Sequence, residues 1–483
     1  MPCNTCATLV KNKLEAHIKW GVSALFHDAS IVVSIENTIV FASSAERFSR
    51  IKGDKHLNMG IIQEALRYGY PDEIYWYESV LLKSLRILLC NKKIKLYDIK
   101  AYLKSFGITG RVHFTSHHKS HLQSGIATAP FDVSNSLGVV VDAVGEFDSL
   151  SIWDINAKGS KKIYKQNYPR SLGLFYSAAT DLVGLTPQDE EYILMGMSSY
   201  GKRSDAVDSL QSLLREDLSR GCKHLIKNVS NKFDVAYAAQ HIFEQELMSL
   251  VKKYLLLTGY KKIIYGGGCA LNCKANSLLA ELGQLWIFPN PGDSGSSLGA
   301  IGRDNVHLQH MFLGHDAGEN NQCADIVDVL LSNQPVGVIH GRAEFGPRAL
   351  GHRSILADAR NVRMRDMVND VKGREQFRPF APCILKRFAG DYFHLQEHVN
   401  YSYMQYVVKC IKPEAMPAGV HIDGTSRVQI VDKSNPFLCN ILERWYEKTH
   451  CPVLLNTSLN TKGKPIINSY KDLHELGDKL IVF

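Results

Sequence analysis

The sequence has no apolar run of the roughly 18 residues that a membrane span requires, and its N-terminus lacks the apolar core of a secretory signal. Its 11 cysteines are odd in number and follow no framework spacing, which favours reduced thiols over a disulfide scaffold. Cys3 and Cys6 form a CxxC pair without a second pair nearby, so a disordered leader explains them better than a metal or redox site. These absences predict a cytoplasmic protein.

Neither sign of charge dominates the composition. The formal net charge is +8 over 483 residues, with 22% charged and 45% hydrophobic residues, as in ordinary soluble globular proteins. A modest positive charge suits an anionic substrate or a nucleic acid and selects neither. The dense stripe of basic and aromatic residues that would favour nucleic-acid binding is missing. The length allows two or three domains with full cores.

The most unusual stretch is 342–385, which contains GRAEFGPRALGHRSIL and KGREQFRPFAP. Its arginines and lysines stand among Gly, Pro and Phe rather than at helical spacing. Phe377 and Phe380 flank Arg378, which predicts a partly buried guanidinium that needs an anionic partner. Arginine is suited to bidentate binding of phosphate or carboxylate. A surface ion-pair network is the alternative, but the pattern favours a site for nucleotide phosphates.

This stretch resembles the signature of the NodU/CmcH-type O-carbamoyltransferases, which reads roughly GRxEFGPRALGxRSIL and then KxREx-FRPFAP. The resemblance implies a C-terminal YrdC-like domain that forms carbamoyl-adenylate from ATP and carbamoyl phosphate, with Mg²⁺ accompanying ATP. Farther along, Arg427 follows an Asp-Gly turn, and Asn456 lies at the end of an apolar strand. The residues expected to bind these substrates or act on them are Arg348, Arg353, Lys372, Arg378, Arg427, Asn456 and Ser458.

The chain begins its regular structure with a strand, a small polar turn and two more strands. Apolar patterning predicts strands at 20–26, 31–35 and 38–42, with His27 and Asp28 in the first turn. This order is typical of the opening of actin-like ATPase domains, in which the first hairpin faces the ligand cleft. Both side chains would then point into the cleft, and either would orient or deprotonate an acceptor hydroxyl. Ordinary turn chemistry explains the aspartate equally well.

A second group of candidates follows Phe114. Thr115 and Ser116 are suitable N-caps, and on the helix that starts there His117 and His121 would lie one turn apart on one face, as in helices that bind a metal. An accidental histidine pair is the alternative. The apolar strand 137–141 then ends at Asp142, before a glycine turn, and such strand ends lie at the cleft of α/β sheets.

Two glycine turns complete the pattern. Three glycines, 266–268, follow the predicted strand 261–265 and form a backbone cradle for a ligand, with Gly267 and Gly268 nearest to it. Asn272 and Asn276, one turn apart on the next helix, have the amides to recognise a ribose or a base. Asp293 lies in the second turn. The segment 190–201 is expected to supply mostly core residues, with pocket lining as the alternative.

Together these turns resemble the catalytic half of tRNA threonylcarbamoyl transferase and its carbamoyltransferase relatives, over residues 20–310. The resemblance implies an actin-like fold and a metal bound by two histidines of an HxxxH helix with acidic residues. Imidazole with carboxylate suits iron, zinc or manganese, and the relatives point to Fe²⁺ (with Mn²⁺ or Zn²⁺ as alternatives). Carried over to this chain, the ligands are His117, His121, Asp142 and Asp293.

The predicted fold class is α/β, with a duplicated N-terminal actin-like (ASKHA) domain and a C-terminal YrdC-like α/β domain. A polar stretch near 315–322 is interpreted as a linker. The predicted divisions are an N-terminal extension at 1–18, a carbamoyl-transfer domain at 19–315 and a carbamoyl-adenylate-forming domain at 323–483. Few residues follow Pro465, which predicts a shortened terminal helix or a compact variant.

The sequence therefore predicts an ATP-dependent O-carbamoyltransferase whose acceptor is a hydroxyl-bearing small molecule or nucleotide. No membrane partner is expected, and the resemblance leaves a homodimer open. One alternative is a threonylcarbamoyl-type enzyme that modifies tRNA, so a nucleic-acid acceptor stays open. The other is a non-catalytic, actin-like regulator that binds nucleotide. The intact 342–385 stretch, together with the four candidate metal ligands, argues against the regulator.

Overall fold

The computed structural model describes residues 16–89, 97–219, 221–226, 231–302, 306 and 308–483; Cys3 and Cys6 lie outside these ranges. The first strands are β1 Ile18–Ser23, β2 Ser30–Ile35, β3 Thr38–Ser44, β4 Glu73–Trp76, β5 Arg111–Phe114, β6 Ser136–Gly145, β7 Asp148–Asn156, β8 Gly159–Asn167, β9 Lys262–Gly266 and β10 Gln284–Ile287. They are followed by β11 Phe312–Asp316, β12 Val336–Ile339, β13 Arg342–Glu344, β14 Arg353–Asp358, β15 Ala381–Leu385, β16 Val408–Lys409, β17 Thr425–Ser426, β18 Gln429–Val431, β19 Val453–Ser458 and β20 Ile481–Val482.

The α-helices run along the same ranges. They are α1 Glu46–Ser49, α2 Met59–Leu66, α3 Val80–Leu89, α4 Ile99–Lys104, α5 His117–Thr128, α6 Leu172–Leu182, α7 Glu191–Met197, α8 Ala206–Gln211, α9 Lys232–Thr258, α10 Cys273–Ala280, α11 Asp293–Ala300, α12 Cys323–Leu331, α13 Met364–Lys372, α14 Ala389–Tyr392 and α15 Pro436–Thr449. None of the helices in the described ranges combines the length and the apolar character that a membrane crossing demands.

The first two sheets repeat one topology. The first has the order β3-β2-β1-β4-β5, and the second has the order β8-β7-β6-β9-β10. In each, two antiparallel pairings on one side of the first strand are matched by two parallel pairings on the other. The predicted α/β class, with a duplicated actin-like domain in the N-terminal part, is therefore confirmed.

The central strand of the second sheet shows how sequence dictates position. The first six residues of β6 are all buried, because a strand with parallel pairing and covered faces can be continuously apolar. Burial ends near Asp142, and the strand continues into the hairpin with β7. A carboxylate at this point lies where the apolar core gives way to the cleft.

Two helices lie between the duplicated sheets, and they set the geometry of the site. α5 and α11 approach closely: the Ser124 hydroxyl donates to the Gly295 carbonyl oxygen at 2.9 Å and accepts from the Gly299 N–H at 3.1 Å. A Cβ atom at Gly299 would lie 1.9 Å from the Ser120 carbonyl oxygen, so only glycine permits this contact. The packing brings the N-terminal ends of both helices to one place.

The C-terminal part is built on a separate mixed sheet with the order β18-β15-β19-β14-β12-β20. Helices α12 and α15 cover it, with Trp445 and Leu438 fully buried. Short 3-10 turns at Tyr470–Glu475 and Gly477–Lys479 lead into β20, which pairs in parallel with β12. Residues 470–482 thus contribute turns and an edge strand to this sheet.

Arginine contacts join the two parts. Arg50 pairs with Glu475 at 3.0 Å and donates to the Ile466 carbonyl oxygen at 2.8 Å. Arg47 donates to the Gly346 carbonyl oxygen at 3.0 Å. A guanidinium can satisfy several carbonyl and carboxylate acceptors at once. These contacts therefore hold the turn at Gly346 and the segment 466–475 against α1 and the residue that follows it. The domain boundary near 315–322 stays a prediction, and β11 lies at its edge.

Candidate active site

Four side chains meet where the duplicated halves face each other. His117 begins α5 and His121 follows one turn later, Asp142 belongs to β6, and Asp293 begins α11. The two histidine Nε2 atoms are 3.1 Å apart. Asp142 Oδ2 lies 3.1 Å from His117 Nε2, and Asp293 Oδ1 lies 3.3 Å from His121 Nε2. The structure therefore brings all four predicted metal ligands together.

The donor set fits a divalent metal. One ligand atom from each of the four residues lies within 4.8 Å of all the others, and the described ranges contain no other such group. Ligand atoms about 2.1 Å from a shared ion would be roughly 3.0–3.4 Å apart, and the imidazole–carboxylate separations are 3.1–3.5 Å. Two imidazoles with two carboxylates suit iron, manganese or zinc.

Electrostatics in this cluster follow from burial among opposite charges. Burial raises the pKa of Asp293, but His117 and His121 outweigh it and hold the pKa at about 2. Burial lowers the pKa of His117, but the charge of Asp293 and the hydrogen bond to Asp142 raise it to about 10. A divalent cation bound at these atoms would displace the imidazolium protons.

Sequence reasoning missed Glu78, which orients this cluster. Glu78 is fully buried, its Oε2 atom lies 3.5 Å from His117 Nδ1, and its charge is paired with Lys83 at 2.8 Å. A carboxylate behind a ligating imidazole fixes the ring and raises its basicity. The sequence held one signal, because Glu78 stands just beyond the end of β4. A glutamate in an ordinary turn would give the same pattern. His118 points away from the cluster, and its Nδ1 atom lies 2.8 Å from Ser151 Oγ.

The turn after β1 places His27 and Asp28 on the wall of the same cavity. His27 Nδ1 lies 3.1 Å from Asp28 Oδ2. This hydrogen bond, against the opposing effect of burial, raises the pKa of His27 to about 10. His27 is consequently a cation at neutral pH. This leaves Asp28 as the member of the pair that can accept a proton.

A second cluster, here called the cation cluster, collects buried and half-buried cations from the C-terminal part. All its members line the cavity: Arg348, Lys372, Arg374, Arg378 and Arg427. Burial together with Arg427 lowers the pKa of Arg348 to about 9. Burial and the neighbouring Arg374 and Arg378 hold the pKa of Lys372 well below its usual range. Cations that lower one another's pKa values in this way are stabilised by an anionic ligand.

Unused hydrogen-bonding groups at the cation cluster point to the same conclusion. Arg374 Nη2, Arg427 Nε and Asn456 Oδ1 are buried and have no hydrogen-bond partner within the described ranges. Lys372 is different, because its ammonium bonds to the Ser458 carbonyl oxygen and to Asn460 Oδ1, the latter at 2.8 Å. Lys372 therefore holds the loop that carries Ser458, while Arg374 and Arg427 have donors free for phosphate oxygens.

The glycine turn after β9 lies beside the group of His117, His121, Asp142 and Asp293, here called the metal-type cluster. Gly268 and Asn272 line the cavity, whereas Gly267 turns the chain, with φ of 93°. Asn272 caps α10 by accepting from the Ala275 N–H, and its amide also exchanges two hydrogen bonds with Gln240. Asn272 therefore has a structural role, and its predicted role in recognising a nucleotide stays a prediction.

Replacing Gly267 with alanine tests the turn. A Cβ atom there would lie 2.2 Å from the Val141 carbonyl oxygen, at a φ that favours glycine. We expect Gly267→Ala to lower the free energy of unfolding by at least about 2 kcal/mol, measured by urea denaturation. Gly390→Ala is the control, because a Cβ atom there meets nothing within 4 Å; equal loss in both variants would contradict the strained-turn interpretation.

Two predicted nucleotide-binding residues do not face the cavity. Asn276 is fully buried, and its Nδ2 atom donates to the carbonyl oxygens of Ala270 and Gln405 at 2.8 and 3.0 Å. Arg353 is also fully buried, and it donates five bonds of 2.8–3.0 Å to backbone carbonyl oxygens. Neither side chain lines the cavity, so both predictions are wrong: Arg353 donates to backbone carbonyl oxygens, and the Asn276 Nδ2 atom joins two backbone segments.

One continuous cavity of about 1050 Å³ contains both clusters in its wall. Asp142, Asp293 and His27 lie along one part of it, and Arg348 and Arg427 lie along another. The cation cluster and the carboxylates of the metal-type cluster therefore share one cavity.

Comparison with solved structures gives only low similarity. Component A of (R)-2-hydroxyglutaryl-CoA dehydratase from Acidaminococcus fermentans has a TM-score of 0.36 and 12% identity, covering 59% of this chain and 96% of that chain. HypF from T. kodakarensis has a TM-score of 0.35 and 12% identity, covering 59% of this chain and 47% of that chain.

Comparison with protein sequences is far more informative. The chain is 28% identical to the uncharacterized protein sll1178 of Synechocystis over 94% of this chain and 93% of that protein. It is 29% identical to the nodulation protein NolNO of Sinorhizobium fredii, over 93% of this chain and 76% of NolNO. It is 30% identical to the nodulation protein NolO of Bradyrhizobium diazoefficiens, over 74% of this chain and 75% of NolO.

Family profiles cover both parts of the fold. The profile described as carbamoyltransferase N-terminus matches residues 70–255 and 216–301, and the profile described as carbamoyltransferase C-terminus matches residues 327–480. The first includes the four clustered metal-type ligands, and the second includes the cation cluster. With these matches and the similarity to NolO, the chain belongs to the carbamoyltransferase family, as the resemblance to NodU/CmcH-type enzymes predicted.

Proposed function

We propose that the protein is an ATP-dependent O-carbamoyltransferase that works in two steps inside one cavity. Carbamoyl phosphate and ATP would form carbamoyl-adenylate at the cation cluster, and the carbamoyl group would then pass to a hydroxyl of the acceptor at the metal-type cluster. The observation that carries this proposal is the continuous cavity shared by the two clusters. A mixed anhydride is labile in water, so an internal path protects it.

In the first step, carbamoyl phosphate is hydrolysed to carbamate and phosphate. A carbamate oxygen then attacks the α-phosphorus of ATP, and pyrophosphate leaves. Charge accumulates on the phosphate oxygens during the displacement, and preorganised cations stabilise it without rearrangement. Arg348, Arg378 and Arg427 would take this role, whereas Lys372 would hold the Ser458 loop beside them.

In the second step, the acceptor oxygen attacks the carbamoyl carbon and AMP leaves. His117, His121, Asp142 and Asp293 would hold a divalent ion, Fe²⁺ or alternatively Mn²⁺ or Zn²⁺, which supplies Lewis-acid polarisation of the carbonyl. Asp28 would accept the proton of the acceptor hydroxyl, because its neighbour His27 is already protonated at neutral pH. His27 would donate a hydrogen bond that orients the carboxylate.

The proposal is tested without knowing the acceptor. The purified protein, incubated with ATP, carbamoyl phosphate and Mg²⁺, is expected to release pyrophosphate and to form carbamoyl-adenylate, both followed by mass spectrometry. A folded protein that binds ATP but forms no adenylate would contradict carbamoyl phosphate as donor. Bicarbonate with an amino acid is then the donor to try, and adenylate formed from that pair would favour the threonylcarbamoyl-type alternative.

A further inference from the structure

The Tyr192 ring contacts two cations that line the cavity. It stands on α7 and lines the cavity. The Arg378 guanidinium carbon lies 4.9 Å from the centre of its ring, and Lys52 Nζ lies 5.2 Å from the same ring. Both distances are within the range of attraction between a cation and an aromatic face. The sequence pattern of 190–201 favoured core residues, but this ring is 37% exposed.

The contacts of Lys52 place Tyr192 between the two clusters. Lys52 pairs with Asp189 at 2.5 Å, and the next residue, Gly53, donates its N–H to Glu46 Oε2 at 2.9 Å. Glu46 and Lys52 line the same wall as Asp28. Arg378, the other cation in contact with the ring, belongs to the cation cluster. Asp28, Lys52, Tyr192 and Arg378 all line the same cavity.

The segment that carries Tyr192 is anchored to the scaffold. Glu191 Oε1 accepts from Ser177 Oγ at 2.6 Å and from the Gln188 N–H at 2.5 Å. Glu190 Oε2 accepts from the Thr186 N–H at 2.9 Å. These bonds fix the start of α7 to α6 and to the preceding loop, so the ring has a defined place in the cavity wall.

From this geometry we infer that Tyr192 is a positioning residue that keeps carbamoyl-adenylate inside the protein while it passes from the cation cluster to the metal-type cluster. The inference rests on the proposed two-step reaction. An anhydride that carries phosphate is attracted to both Arg378 and Lys52, and the Tyr192 ring, which contacts both cations, holds them along the cavity that the intermediate occupies. The ring adds no charge of its own to oppose the passing phosphate.

The test separates bound from free intermediate. Protein in excess over ATP is mixed with carbamoyl phosphate and Mg²⁺, without acceptor, and is filtered rapidly. Mass spectrometry then gives carbamoyl-adenylate in the retained and filtered fractions. Wild type is expected to retain most of the adenylate. Tyr192→Ala should still form adenylate but release about tenfold more of it, and Tyr192→Phe, which keeps the aromatic face, should retain it like wild type.

Each outcome has one meaning. No adenylate from wild type contradicts the two-step reaction itself and is distinct from failure of this inference. Adenylate formed and retained equally by wild type and Tyr192→Ala overturns the inference, as does equal release by Tyr192→Phe and Tyr192→Ala. Loss of adenylate formation in Tyr192→Ala would assign the residue to the first step instead. If Tyr192→Ala does not fold, Tyr192→Leu replaces it, and the comparison with Tyr192→Phe decides.

Discussion

Arg378→Ala is expected to lower the rate of carbamoyl-adenylate formation at least about 100-fold, the loss typical of removing one preorganised donor from a developing phosphate charge. Arg378 is placed for this because it lines the cavity and its nearest carboxylate, Glu375, stands 3.5 Å away. Pyrophosphate release under saturating ATP and carbamoyl phosphate measures the rate. Arg378→Lys should recover only a small part of it, because an ammonium cannot bind two phosphate oxygens in the planar manner of a guanidinium.

The same substitution should leave the free protein as stable as wild type or more stable. Arg378 is one of the charges that lower the pKa values of Lys372 and Arg374, so its removal relieves repulsion among buried cations. A residue kept at the expense of stability is typical of a binding site. Thermal unfolding without ligand tests this, and a lower Tm with unimpaired adenylate formation would show that Arg378 is structural.

Arg387→Ala is the matched control for Arg378→Ala. Arg387 lies in the same C-terminal part, is 51% exposed and pairs with Glu443. Exposed ion pairs contribute little to stability, so this variant should retain both its Tm and its adenylate formation. Inorganic phosphate should then raise the Tm of wild type and of Arg387→Ala. It should raise the Tm of Arg378→Ala less, because that variant lacks one of the guanidinium groups that would bind the anion.

The metal-type cluster could be predicted from sequence because its residues follow local rules. Two histidines spaced by four residues share a helical face, and carboxylates at strand ends and helix starts lie at the cleft of an α/β sheet. Glu78 escaped prediction because its meaning depends on burial beside His117 and Lys83, which come from α5 and α3. A single strand-end glutamate carries no such information.

The errors have the same origin. Arg348 and Arg353 lie in one motif and have the same side chain, yet Arg348 lines the cavity while Arg353, at the start of β14, is directed into backbone carbonyls. Sequence spacing cannot tell which way a buried guanidinium turns outside regular structure. The prediction for Asn276 was wrong because one of its acceptors, the Gln405 carbonyl oxygen, lies 129 residues away in the sequence. The proposed role of Tyr192 could not be predicted from sequence, because it depends on contacts of its ring with Lys52 and Arg378, which are distant in the chain.

Asp293→Asn should separate the two half-reactions. The substitution keeps the size of the side chain at the start of α11 but removes the negative charge that lies 3.3 Å from His121 Nε2 and 3.5 Å from His117 Nε2. Metal affinity should fall at least about 100-fold, because an amide is a much weaker ligand than a carboxylate for a divalent ion. Metal content after equilibration with Fe²⁺ under anaerobic conditions, or with Mn²⁺, measures the loss.

Adenylate formation should persist in Asp293→Asn, because the arginines that stabilise phosphate charge belong to the separate cation cluster. The intermediate should then accumulate instead of transferring its carbamoyl group. Asp132→Asn is the control, since Asp132 is 74% exposed and remote from the four ligands, and it should bind metal like wild type. Unchanged metal content in Asp293→Asn would contradict the metal site, whereas loss of adenylate together with metal would show that the two clusters act as one centre, because the first step would then depend on the ligands of the second.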